Sequence, residues 1–180
     1  LGSSREGLLR KRVSLMNELR GYLKQEGVQL EEAFFKMKEW EEYLKKTKMS
    51  EEMRCVMEGY LVGIEGLVRA EKLLTDRLLK LEDERTHRLE TIPGIGKLSS
   101  RILVGAIDQI ERFEGSKSLA KYGALAPRIY QSGDTVKLGR IDTNGRMEVR
   151  RAMLQCAHAV MRSKSKESEP LREFQKRVEK

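Results

Sequence analysis

The string Pro93-Gly94-Ile95-Gly96, set between two stretches of helical apolar spacing, constrains this chain more than any other feature. Proline pushes the residue before it out of the helical region, so one helix has to end near Ile92. Glycine tolerates backbone that a side chain would obstruct, so Gly94 and Gly96 allow a tight turn. Leu98, Ile102, Leu103 and Ile107 then recur at the spacing of one helix face. Such a turn aims several backbone N–H groups outward at a helix N-terminus, an arrangement suited to a phosphate. Lys97 and Arg101 add positive charge beside it. A plain helical turn punctuated by glycine is the alternative reading.

Upstream, the pattern is helical and chemically quiet. Leu9, Val13, Met16, Leu19 and Leu23 follow helical spacing, and Glu26-Gly27 reads as a stop. Ala33, Phe34, Met37, Trp40 and Leu44 form a second apolar stripe. Ser50-Glu51-Glu52 looks like a cap followed by acids in the first turn. From there a helix is expected to run to about Arg85, with Leu67, Ala70, Leu74, Leu78 and Leu81 on one face. Gly59, Gly63 and Gly66 fall inside it, each costing about 1 kcal/mol against alanine. Close approach of another helix, or a kink or break, would account for them. Residues 1–88 therefore read as a helical, coiled-coil-like arm whose stripes either pair copies into a homo-oligomer or fold back on each other, and residues 89–180 as a separate compact helical domain.

The charge singles out the second half. Residues 1–90 hold 18 Lys and Arg against 18 Asp and Glu, whereas residues 91–180 hold 18 against 10, so the whole net charge of +8 lies there. A one-sided basic region favours a polyanion, because each neutralised phosphate releases counterions. No apolar run approaches the ~20 residues that cross a bilayer, and no export signal opens the chain, so a cytoplasmic, nucleoid-associated location is expected. Cys55 and Cys156 are too few and too distant for a disulfide scaffold. With His87 and His158 they also offer no metal-ligand spacing, so no metal site is expected in this chain. The opening Leu1-Gly2-Ser3-Ser4, without Met, reads as part of a longer protein.

Beyond the glycine turn, Ser116 is expected to cap a short helix through Tyr122, ended by Gly123. The stretch around Ile129, Gln131, Ser132-Gly133-Asp134, Val136 and Leu138 reads as a short β-ribbon or extended loop. Asn144-Gly145 then opens a helix carrying Met147, Arg150, Arg151, Leu154 and Ala157. Arg128, Lys137, Arg140, Arg146, Arg150 and Arg151 surround the ribbon and the helix start, six cations about one exposed serine. The fold class that follows is mainly α: long amphipathic helices, then a compact helical domain with a short β-ribbon.

The turn itself resembles the helix-hairpin-helix motif of DNA-repair and recombination proteins. The order TIPGIG, then RFEGSKSLAKYGALAPRIYQSGD, then GRI, NGR and VRRAMLQCA resembles the carboxy-terminal domain of the insertion sequence 110 family of transposases, which includes the Piv-type DNA invertases. The opening REGLLRKRVSLMNELRGYLKQEGVQL is similar to the helix that precedes that domain. The resemblance implies an amino-terminal RuvC-like domain, absent here, holding Mg2+ on four acids. It implies that Ser132 is a nucleophile attacking a DNA phosphodiester, giving a phosphoserine link and a free 3′ hydroxyl. It further implies DNA as partner, a structured guide RNA in some members, and composite sites in dimers or tetramers. The family's usual lysine, glycine-asparagine and leucine-arginine after the ribbon are here Thr143, Gly145-Arg146 and Val149-Arg150. Without the acidic domain, the isolated chain is expected to be inactive. A non-catalytic nucleic-acid-binding module, or a purely helical assembly domain, is the competing reading.

Overall fold

The computed structural model describes residues 1–31, 34–37, 39–132 and 135–178. The chain forms two compact units, made up chiefly of Ser3–Thr75 and Asp76–Lys180. It is mainly α-helical, with one small two-stranded sheet. No described helix is long and apolar enough to cross a membrane.

The first unit is built on α1 (Gly2–Gln25), α2 (Trp40–Lys46) and α3 (Glu51–Leu79). Gly27 ends the α1 segment with φ +81, while Val28 N–H reaches the Leu23 carbonyl and Gly27 N–H that of Lys24. This is the Schellman arrangement, which glycine adopts without a Cβ penalty. Ser50 accepts a 3.2 Å hydrogen bond from the Met53 amide at the start of α3, the expected cap. α1 and α3 run antiparallel: Arg5 Nε donates to Thr75 Oγ1 at 2.8 Å, Arg12 pairs with Glu71 at 2.7 Å, and the Tyr60 hydroxyl donates to Glu18 at 3.1 Å. Leu19, Leu23 and Leu44 are fully buried among Phe34, Trp40, Met53, Met57, Leu61 and Ile64. Each such leucine contributes about 2 kcal/mol on burial, more than any difference in helix propensity among these residues.

Three expectations for this unit change. α3 runs unbroken through Gly59, Gly63 and Gly66, so these glycines do not divide it. Its end is Leu79, short of Arg85: Leu81 and Glu82 leave the helix, and Asp83 starts a new one by accepting the Arg85 amide. The stripe through Trp40 is a 3-10 turn, Phe34–Lys36, followed by α2, not one helix; Ala33 lies outside the described residues.

The second unit contains α4 (Glu84–Glu90), α5 (Lys97–Ile107), α6 (Ser116–Tyr122), β1 (Pro127–Ser132), β2 (Thr135–Ile141), α7 (Met147–Arg162) and α8 (Glu169–Val178). Leu103 and Ala106 of α5 pack on Val149 and Ala152 of α7, with Leu89, Ile95, Ile102, Ile107 and Tyr122 around them. The buried stripe of α7 is Val149, Ala152, Cys156 and Val160, whereas Leu154 and Ala157 are exposed. Ser116 is the first residue of α6 and does not cap it; Gly115 holds the cap position.

Candidate nucleic-acid interface

The turn between α4 and α5 follows from Pro93 and Gly94. The Ile95 amide donates to the Ile92 carbonyl at 3.0 Å, closing a four-residue turn with proline second and glycine third. That order suits a type II turn, whose third residue needs positive φ, and Gly94 has φ +88. A Cβ on Gly94 would also lie 2.5 Å from Val160 Cγ2 and 2.6 Å from the Cys156 carbonyl oxygen. The turn is thus pressed onto the backbone of α7. Gly96 differs. It caps α5 in extended conformation, has open space where a Cβ would stand, and is exposed like Lys97 after it. Among the described residues no side chain caps α5, so the amides of its first turn have no side-chain acceptor.

Arg101 does not join that surface. It is 6% exposed, and its Nη1 donates to Glu90 Oε1 at 2.6 Å and to the Lys97 carbonyl at 3.0 Å. The buried Ser100 hydroxyl donates to the same Glu90 oxygen at 2.8 Å. Ser100 and then Arg101 hold the Glu90 carboxyl below the usual glutamate range, against the upward push of partial burial. The guanidinium expected at a phosphate instead ties α4 to α5 beneath the turn.

β1 and β2 form an antiparallel hairpin pairing Ile129 with Leu138, Tyr130 with Lys137, Gln131 with Val136 and Ser132 with Thr135. Cross-strand partners share a face, and alternate residues occupy opposite faces. Ser132 therefore lies on one face with Thr135, Tyr130 and Lys137, and Leu138 lies on the other with Ile129; the register shifts between Ile129 and Pro127, and Arg140 falls in that irregular step. Gly133 and Asp134, included in the expected ribbon, lie outside the described residues. Every residue of β1, Ser132 included, is exposed. Lys137 and Arg140 are exposed, with no ion pair among the described residues. Arg128 pairs with Asp142 at 3.3 Å, and the Tyr130 hydroxyl and Asp142 together raise its pKa. Gly139 leaves room for the Tyr130 ring, since a Cβ there would sit 2.7 Å from Tyr130 Cε2. Tyr130 was not singled out from sequence; its alternation with Ser132 was the available signal.

The link from α6 through the hairpin to α7 is locked at Ala124. The Leu125 amide reaches the Ala120 carbonyl at 2.8 Å and the Ala124 amide that of Lys121 at 3.0 Å, with Ala124 at φ +54. This repeats the Schellman closure seen at Gly27, here with a buried alanine in the left-handed position. Arg150 donates its Nη1 to the Ala124 carbonyl. Gly145 lies against the same turn, where a Cβ would come 2.6 Å from the Tyr122 carbonyl oxygen and 2.8 Å from the Ala124 nitrogen. Arg150 is thus a positioning group for the turn. Arg146 is half exposed and pairs with Glu148 at 2.8 Å, Arg151 is half-buried, and Thr143 is exposed.

Residues 86–172 match the family model described as Transposase IS116/IS110/IS902. This segment belongs to the IS116/IS110/IS902 transposase family. The chain is similar to the transposase for insertion sequence element IS1328 of Yersinia enterocolitica, 26% identical over 174 residues, covering 94% of this chain and 52% of that protein. It is similar to the pilin gene-inverting protein of Moraxella bovis, 41% identical over 81 residues, covering 43% of this chain and 25% of the relative. It is also similar to the transposase for IS1111A of Coxiella burnetii, 24% identical over 165 residues, covering 88% and 45%. The chain spans about half or less of the length of these relatives.

The transposase-family segment contains the glycine turn, the hairpin with Ser132 and all of α7. Of the residues after the ribbon, the glycine and the arginine that fit the family pattern, Gly145 and Arg150, are the two that hold the Ala124 turn. Thr143 and Arg146, which depart from it, sit at the surface. Among the described residues no three His, Cys, Asp or Glu side chains gather to hold a metal.

Proposed function

We propose that this chain is the nucleic-acid-holding part of a transposase and presents Ser132 to a DNA phosphodiester. One observation carries the reading: Ser132 stands exposed on a solvent-facing hairpin, on the same face as the unpaired-with-acid Lys137. A two-stranded ribbon with no core behind it is marginal alone, and such a ribbon fits the major groove of duplex DNA. The α4–α5 turn, read as a helix-hairpin-helix element, supplies a second backbone contact through the amides after Gly96 and through Lys97. Arg128, Lys137, Arg140 and Arg146 complete the contact set with Arg151. Arg101 and Arg150 do not belong to it, because their guanidinium groups hold Glu90 and Ala124.

In the proposed step the Ser132 oxygen attacks phosphorus, the bond from phosphorus to the 3′ oxygen breaks, and the strand leaves with a free 3′ hydroxyl. The serine proton passes to a base, and one proton is delivered to the leaving 3′ oxygen, so the step is proton-neutral. This part of the protein contributes the nucleophile and the cations that stabilise the phosphorane charge.

Two measurements test this. Binding of the chain to a DNA duplex should weaken with salt, with a slope of about −0.9 per phosphate contact. The double substitution Lys137→Ala/Arg140→Ala should shrink that slope by about two contacts; a flat salt curve for the unaltered chain would sink the reading. In the full-length protein a nicked substrate should trap a protein–DNA adduct that Ser132→Ala abolishes and Ser132→Cys alters chemically. The chain alone, given Mg2+, should leave DNA uncut.

A further inference from the structure

We infer that Tyr130 is a stacking platform for one unpaired base of the DNA whose phosphate meets Ser132, so the preferred substrate is a duplex opened by a nucleotide at that point. The inference rests on the reading of Ser132 as the group presented to DNA, and it names what the hairpin holds beside the phosphate. Ser132, Tyr130 and Lys137 share one face, and Tyr130 is paired directly across from Lys137. Along the strand Tyr130 stands two residues from Ser132, about 6.7 Å at about 3.3–3.4 Å per residue. A phosphate at the Ser132 hydroxyl therefore has an aromatic ring within reach of the adjoining base, with a cation at the ring's flank.

The ring is held from two sides. It lies across Gly139, where a Cβ would come 2.7 Å from Tyr130 Cε2 and 3.4 Å from Arg128 Cβ. Arg128 is bound by the Tyr130 hydroxyl and by Asp142, and both raise its pKa. The bond to Asp142 measures 3.3 Å, so the guanidinium that steadies the hydroxyl is itself anchored. Covering a strand glycine is a structural use of an aromatic ring. It does not account for Tyr130 remaining 58% exposed on a hairpin strand whose every residue is exposed. An exposed aromatic fixed between cations is the composition of a platform for unstacked bases. Fixing the ring in advance also lowers the ordering cost of binding.

The need for an unpaired base follows from geometry. Inside a paired duplex the bases stack on one another and offer a ribbon in the groove only their edges. A ring can cover the face of a base only after that base has left the stack. The Tyr130 hydroxyl is engaged by Arg128, so the contact is through the ring, and every base has a face to offer it. The selection is thus for an unpaired nucleotide and not for a particular base.

The test is equilibrium binding of the chain to three short DNA duplexes of one sequence. One is fully paired, one carries a central unpaired nucleotide, and one carries an abasic residue in its place. The parent chain should bind the duplex with the unpaired base at least about fivefold more tightly than either of the others. Tyr130→Leu should bring that ratio to about one, with circular dichroism unchanged, whereas Tyr130→Phe and Tyr130→Trp should keep it. Equal binding of all three duplexes by the parent chain, with salt dependence intact, overturns the platform and leaves the DNA reading standing. Equally tight binding of the abasic duplex also overturns it, because flexibility and not the base is then selected. A Tyr130→Leu chain that binds all three more weakly in the parent's ratio reduces the ring to a support for the hairpin. Loss of the preference in Tyr130→Phe transfers it to the hydroxyl and Arg128, which overturns the proposal as well. Failure to bind any duplex removes this inference together with the DNA reading.

Discussion

Gly94→Ala is expected to destabilise the second unit by about 3–5 kcal/mol, whereas Gly96→Ala changes its stability by less than about 0.5 kcal/mol. The two glycines stand two residues apart in one motif, so sequence alone treats them alike. At Gly94 two costs add. The left-handed φ of +88 strains any side chain, and the added methyl meets Val160 Cγ2 at 2.5 Å and a main-chain oxygen of α7 at 2.6 Å. Val160 can rotate, but the Cys156 carbonyl cannot move without opening α7. A loss of this size is a large share of a marginal domain's total stability of about 5–15 kcal/mol. At Gly96 the backbone is extended and the Cβ position is empty. Urea denaturation followed by circular dichroism separates them. If both variants melt with the parent chain, the turn does not rest on α7 as described. A well-folded Gly96→Ala chain that binds DNA less tightly would then report on the amides after Gly96 without the confusion of unfolding.

How far the sequence could be read depended on whether the deciding contact was local. Leu19 and Leu23, the Gly27 stop and the Ser50 cap were all legible, because each rests on neighbours within a few residues. The helix starting at Lys97 and the ribbon ending in Ser132 were legible for the same reason. The end of α3 at Leu79 was not, since no proline or glycine marks it and Leu81 continues the apolar spacing; Asp83 breaks the helix by capping the next one. The buried face of α7 was missed because Ala152 and Cys156 are small, and the more conspicuous Leu154 and the arginines drew the stripe elsewhere. Cation placement was the least legible. Arg101, Arg150, Lys137 and Arg140 look equivalent as letters. Yet two of them are held by Glu90 and by the Ala124 carbonyl, and two stand in solvent. Only the fold decides which basic residues remain to meet a phosphate, so counting cations around Ser132 overstates the field there.

That distinction sets the second large effect, at the pair beneath the glycine turn. Arg101 is buried, its Nη1 bound to Glu90 at 2.6 Å, and its Nε has no partner among the described residues. Removing one member of such a pair leaves a charge stranded away from water, whereas replacing both by apolar groups is often neutral. The expected order of melting temperature at neutral pH is therefore the parent chain first, Glu90→Ala/Arg101→Met next, and Glu90→Ala lowest. Acid should remove the same contribution. The carboxyl of Glu90 is held below its ordinary pKa by Ser100 and Arg101. Its stabilising effect is complete above the unfolded glutamate pKa of about 4.3 and disappears as pH falls through the lower folded value. The gap between the parent chain and Glu90→Gln should accordingly close as pH drops below about 4. If Glu90→Ala proves as stable as the parent, Arg101 is not anchored and returns to the pool of free cations. DNA binding gives an independent reading of the same point: Lys97→Ala should reduce the salt slope by about one contact while Arg101→Met leaves it unchanged. Equal losses from the two would place the Arg101 guanidinium on the phosphate and remove it from Glu90 in the bound state.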